Sequence, residues 1–155
     1  MESDIRRILS EMAKDLTFLA RKSMEEVGTN QKVGKNTLLG SRLYREIETD
    51  TREDMIEMLF NQYIEYIERR RPPKYGKRPP VNVIIDWMKR KNIPPRNGTI
   101  RQVAWLISRA IWRDGHEARP VIATLIEKAN IEWDEKWSQQ IFEGIIKELD
   151  NQFRQ

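Results

Sequence analysis

The sequence contains no cysteine and a single histidine, His116. Without thiols there are no disulfides, no thiolate metal sites and no cysteine nucleophile. One imidazole cannot build the usual zinc site, which takes three or four nitrogen or sulfur ligands with at most a carboxylate or two. A Ser-His-Asp triad would have to use His116, and no serine stands in a nucleophile-elbow context. These absences nearly close the commonest catalytic routes, and no catalytic residue, metal ligand or cofactor stands out. Long apolar runs are also missing, and none approaches the roughly 20 residues of a membrane span. The opening Met1-Glu2-Ser3-Asp4 is acidic and lacks the basic-then-apolar layout of a secretory signal. The expectation is a soluble chain, made in the cytoplasm, with no membrane contact.

What is present is charge. Of 155 residues, 34% are charged and 39% hydrophobic, enough for one ordinary core under a densely charged surface. The net charge of +4 is too modest for a dedicated nucleic-acid binder, but it is unevenly spread. From Arg69 to Arg101 there are eleven Lys or Arg residues and one carboxylate, Asp86. The remainder of the chain is slightly acidic.

Periodicity organises the chain as a helix-dominated α+β fold, read as one domain over 1–155. Ile5, Ile8, Leu9, Met12, Leu16, Leu19 and Met24 predict an amphipathic helix over residues 3–27, about seven turns long. Gly28-Thr29-Asn30 ends it, and the polar stretch to Gly40 reads as a loop. Leu43, Arg45, Ile47 and Thr49 alternate with Tyr44, Glu46 and Glu48, a period of two. With the polar turn at 50–54 and the apolar run Met55 to Phe60, this predicts a β-hairpin. Phe60, Tyr63, Ile64 and Ile67 return to helical spacing before Arg69-Arg70-Arg71. Four prolines, Pro72, Pro73, Pro79 and Pro80, then predict an extended, exposed loop. A helix after Pro80 is expected to turn Val83, Ile84, Trp87 and Met88 inward. Thr99 and Gln102 have capping-box spacing ahead of the stripe Ile100, Val103, Ala104, Ile107 and Ile111, which Gly115 should stop. A last helical region starts at Val121 and runs through Trp133, Trp137, Ile141, Ile145 and Leu149, with residues 127–155 as its C-terminal helix.

The order of these features resembles the tail-completion or neck proteins of tailed bacteriophages. That group follows a long helix with an Asp-Thr-Gly-x-Leu-x-x-Ser-Ile type segment. Here Lys35 to Ile47 occupies the place, with an insertion and Glu46 where serine is usual. The family's Tyr-x-x-Tyr-Val-Glu-x-Gly stretch ahead of a basic, Pro-rich loop is similar to Tyr63 to Pro73, with Arg70 replacing the glycine. Its Ile-x-x-Trp-x-x-x-Lys-Gly-Ile element is matched by Ile85 to Ile93, with Asn92 for glycine. Its closing pattern is matched through Ala104, Ile107, Arg109, Ile111, Gly115, Arg119 and Pro120. The likeness spans residues 35–126. It implies a non-enzymatic virion protein, assembled in the bacterial host cytoplasm. It implies copies that form a ring at the head–tail junction and meet portal-side, neck and tail proteins around the DNA channel.

Within that frame the candidate contact residues are Arg69, Arg70, Arg71, Lys74, Tyr75, Lys77 and Arg78. They can reach a neighbouring subunit or meet DNA phosphate without sequence preference. The bland reading is a solvated loop whose arginines pair with Glu57, Glu65 and Glu68. Among the five tryptophans, Trp87 and Trp137 are expected in the core, and Trp105 or Trp112 at an interface. The competing class is a small basic nucleic-acid-binding protein, which lacks helix-turn-helix, zinc-finger or aromatic-sheet signatures here. A third class is a magnesium nuclease built on Glu46, Glu48, Asp50 and Asp54.

Overall fold

A computed structural model describes residues 3–154, and the fold is α+β with helix dominant. The backbone clusters into two compact units. Residues 1–68 with 119–155 form one, and residues 69–118 form the other.

The first unit is built on the long helix that the N-terminal stripe anticipates. Helix α1 (Asp4–Val27) starts at Ser3, whose hydroxyl accepts the Arg6 N–H at 3.1 Å. It ends at Gly28, where the Asn36 side-chain amide donates to the Met24 and Glu25 carbonyls at 2.8 and 3.1 Å. Those carbonyls would otherwise be orphaned at the helix end. Asn36 is placed by a two-residue antiparallel pair, β1 (Thr29–Asn30) with β2 (Lys35–Asn36).

The segment expected as a first hairpin strand is corrected in part. Residues Arg42–Arg45 form a single helical turn, α2, capped by the Ser41 hydroxyl accepting from Tyr44 N–H. Leu43 and Ile47 are both buried, and their separation of four suits a helix as well as a strand. The serine cap decides between the two periods. The hairpin itself forms one step later, from β3 (Glu48–Thr51) and β4 (Ile56–Leu59), with Glu48 opposite Leu59 and Thr51 opposite Ile56. Two strands alone are marginal in water; here β3 lies along α1.

Helix α3 (Tyr63–Glu68) buries Ile64 and Ile67. After residue 118 the chain re-enters this unit at Arg119, whose N–H donates to Ile67 carbonyl at 2.7 Å. Its guanidinium bonds Gly28 carbonyl at 3.1 Å and Thr37 hydroxyl at 2.8 Å. The C-terminal region is continuous. Helix α6 (Val121–Glu132) passes through a π turn at Trp133–Trp137 into α7 (Ser138–Phe153). The N-terminus of α6 is capped from a distance. The two Glu68 carboxylate oxygens accept the Ile122 and Ala123 N–H groups, each at 2.9 Å.

Helix α1 packs on both α6 and α7. One core joins Ala20, Met24, Leu38, Leu43, Ile67 and Val121. A second joins Ile8, Leu9, Met12 and Trp137, whose indole N–H donates to Asp15 at 3.2 Å. Gly144 lets α7 approach closely, since a Cβ there would lie 2.7 Å from Ile8 Cδ1.

The second unit is a helical hairpin preceded by the Pro-rich loop. Helix α4 (Val81–Arg90) and α5 (Ile100–Asp114) enclose Ile84, Met88 and Ala104, with Ile100, Val103, Ile107 and Ile111 around them. The capping box forms as expected: Gln102 N–H bonds Thr99 hydroxyl at 3.2 Å, and Thr99 N–H bonds the Gln102 side chain at 3.0 Å. Two side chains of α4 correct the expected inward set. Val83 is exposed and Trp87 is 37% exposed, because the face that α5 covers is taken by Ile84 and Met88 with Val81 and Ile85 beside them.

Candidate functional site

The 50-residue unit 69–118 carries thirteen Lys or Arg against Asp86, Asp114 and Glu117, a net charge of +10. The rest of the chain has fifteen basic and twenty-one acidic residues, a net charge of −6. The charge asymmetry of the sequence therefore coincides with a division of the fold.

Four prolines remove N–H donors from the loop between Arg69 and Pro80, and side chains fasten it largely through its carbonyls. Trp112 Nε1 donates to Gly76 carbonyl at 2.8 Å, and Ser108 hydroxyl donates to Pro79 carbonyl. The Arg71 guanidinium donates to Tyr75 carbonyl at 3.1 Å and to Lys77 carbonyl. Backbone bonds finish the strap. Arg71 N–H donates to His116 carbonyl at 2.9 Å, His116 N–H returns to Arg71 carbonyl at 3.0 Å, and Lys74 N–H reaches Trp112 carbonyl at 2.7 Å.

Gly115 makes that docking possible. It has φ 64° and ψ −166°, a conformation essentially confined to glycine. A Cβ there would strike Arg71 carbonyl and come within 2.9 Å of Pro72 C and Pro73 N.

The expected contact residues divide by role. Arg71 holds the loop to itself. Arg70 pairs with Glu117 at 3.5 Å, with both side chains exposed. Arg69, Lys74, Tyr75, Lys77 and Arg78 point outward. Arg78 also lies over the Trp105 ring at 5.6 Å, and Arg109 lies over the same ring at 5.6 Å. Trp105 and Trp112 line one groove of about 480 Å³ with Lys77 and Arg78 at its edge. The fold thus brings together two tryptophans and a loop separated by some 30 residues of sequence. Trp105 is 41% exposed, whereas Trp112 is half-buried by its bond to the loop.

The carboxylates offered as partners for the loop are engaged elsewhere in part. Glu68 caps α6, and Glu57 pairs with Arg52 at 3.5 Å. Among the described residues, only Arg70 and Arg113 of the thirteen basic side chains in this unit form an ion pair. Arg113 is bonded to Asp114 at 2.9 Å, which raises its pKa.

The carboxylates considered for a magnesium site do not converge. Glu46 is held by Asn61 at 2.9 Å and Arg42 at 2.7 Å, which together keep its pKa below the usual range. Asp50 pairs with Arg52 at 3.3 Å. Among the described residues no three His, Asp or Glu side chains gather to hold a metal.

The Trp87 expectation is corrected, and Trp137 is buried as expected. Two features went unread in the sequence. Arg109 joins the Trp105 stack from one turn further along α5, a spacing visible as Trp-x-x-x-Arg. The other is an outward apolar face on α7, formed by Phe142, Ile145, Ile146, Leu149 and Phe153.

No protein-family model, curated protein or solved structure matches this chain.

Proposed function

We propose that this protein is a structural virion subunit that works as one copy of a ring at the head–tail junction of a tailed phage. The reading rests on the ordered motifs of residues 35–126. The observation that carries it further is the division of charge, +10 on residues 69–118 and −6 on the rest. A chain with one basic and one acidic unit favours contact between unlike faces of successive copies. Such head-to-tail contacts close into rings when their rotation closes. Outward apolar side chains on α5 and α7 supply desolvated area for those contacts, and a loop fastened at five points supplies a rigid one.

In this role the protein joins portal-side proteins to the tail and needs no catalytic residue. The second reading, contact with nucleic acid, is favoured by one specific observation. Eleven basic side chains of the unit lack a carboxylate partner among the described residues. The two readings meet in a ring whose basic surface faces packaged DNA, where phosphate attraction is independent of sequence.

The test is an amber mutation of the gene in its parent phage. Filled heads and separate tails should accumulate unjoined, and purified protein should restore joining in vitro. Normal, infectious particles in the mutant would overturn the proposal.

A further inference from the structure

We infer that the outward face of α7 is the docking site for α5 of a second copy of this chain. The inference deepens the proposed assembly by naming its contact. It rests on that reading only as far as self-association, and not on a phage origin.

Helix α7 meets α1 along a narrow seam of Trp137, Ile141, Gly144 and Glu148, at spacings of four, three and four. Turned about a third of the way round the helix from that seam stand Phe142, Ile145, Ile146, Leu149 and Phe153, which share one face at helical spacing. Phe142 is 63% exposed and Phe153 is 87% exposed. Scattered surface apolar residues are ordinary, but five large ones in one continuous row mark an interaction surface. The row spans eleven residue steps, about 16 Å at the rise of an α-helix.

Helix α5 offers a matching row. Trp105 and Leu106, 58% exposed, stand between Arg101, Arg109 and Arg113 on its outward side. The arginines span twelve residue steps, about 18 Å, with the two apolar side chains near the middle. Tryptophan and arginine are the residue types that most often anchor protein interfaces.

Charge decides which surface covers α7. Glu143 and Asp150 border its apolar row, Asp150 already paired with Arg154 at 3.1 Å, and the unit that carries the row has a net charge of −6. A second α7 would bring like-charged units together. A second α5 would meet the first with +10 on each side. Only the unlike pair, α7 on α5, joins exposed apolar side chains set in opposite surrounding charge. Two unlike faces on each copy leave one of each open after the first contact, so the assembly continues until it closes.

The experiment uses the full-length protein and two variants at exposed positions, Ile146→Asp on α7 and Leu106→Asp on α5. Circular dichroism checks that both retain the parent fold. Mass is followed by sedimentation and native mass spectrometry up to about 100 µM. The parent chain should self-associate, and each variant alone should weaken that association at least about tenfold. Mixed in equal amounts, the variants share one intact pair of faces and should form a heterodimer that grows no further. Raising salt from about 0.05 to 0.5 M should weaken it, as screening predicts for opposite charges.

A monomeric parent chain would overturn the inference, as would a mixture that forms no heterodimer. Self-pairing by the Leu106→Asp variant alone would show α7 covered by α7, and would overturn it equally. Self-association by these faces in a protein absent from phage particles would keep this inference and refute the virion reading.

Discussion

Replacing Gly115 by alanine should release the strap from α5. The substitution puts a β-carbon on a residue at φ 64° and ψ −166°, which costs roughly 1–3 kcal/mol in backbone strain. The new atom would also strike the Arg71 carbonyl and approach Pro72 and Pro73 backbone, so the chain must part there. Two backbone hydrogen bonds join Arg71 and His116, and losing them costs roughly 0.5–1.5 kcal/mol each. The total is of order 2–6 kcal/mol, and about 3 kcal/mol already raises the open population by about two decades. Limited trypsin digestion reads that population when opening and closing are faster than cleavage. Cleavage after Lys74 and Lys77 should accelerate about a hundredfold in Gly115→Ala, by the same conversion. Gly34→Ala is the control. Its φ of 77° carries the backbone cost, but nothing lies within 4 Å of the added atom. It should leave those two cleavage sites unchanged. Equal cleavage rates for the parent chain and Gly115→Ala would refute the account of how the strap is held.

Other outcomes follow from the same structure. Trp137→Ala should cost about 3–5 kcal/mol, since it empties the core beside Ile8, Leu9 and Met12 and leaves Asp15 without its indole donor; urea denaturation measures it. Glu68→Ala should cost about 1–2 kcal/mol by uncapping α6, with faster hydrogen exchange at Ile122 and Ala123. Because the folded Glu46 pKa is lowered by Asn61 and Arg42, its contribution is present above the ordinary carboxylate pKa. It is lost as pH falls through the lowered folded value. Acid titrations of Glu46→Gln should therefore lack that part of the pH dependence, while their neutral-pH slope matches the parent chain.

Helices with local signals were legible in the sequence. Thr99 with Gln102, and Gly115, mark helix ends in their own chemistry, and the structure uses each of them as read. The strand period at residues 43–47 misled because Leu43 and Ile47 satisfy a spacing of two and of four alike. The deciding signal, Ser41 as a cap, lay outside the alternating stretch. The C-terminal helical series changes surroundings along its length. Trp137, Ile141, Ile145 and Leu149 step by four, and each such step turns about 40° round a helix with 3.6 residues per turn. The series begins on the buried seam and ends on the outward face, so a stripe of four-residue steps cannot all be core.

The candidate site was half visible. The basic loop and both groove tryptophans stand out in the sequence, but their proximity depends on a strap held by side chains some 30 residues away. Local patterns carry no such information. Nor does net charge, since +4 conceals the opposition of +10 and −6 that appears once the units are drawn.

The central claim is best tested by the number of copies of this protein in purified particles of the parent phage. Quantitative mass spectrometry against the major capsid protein measures it. A ring subunit predicts a small symmetric number, on the order of six or twelve per particle. Absence from the particle, or a count that scales with the capsid shell, would contradict the account.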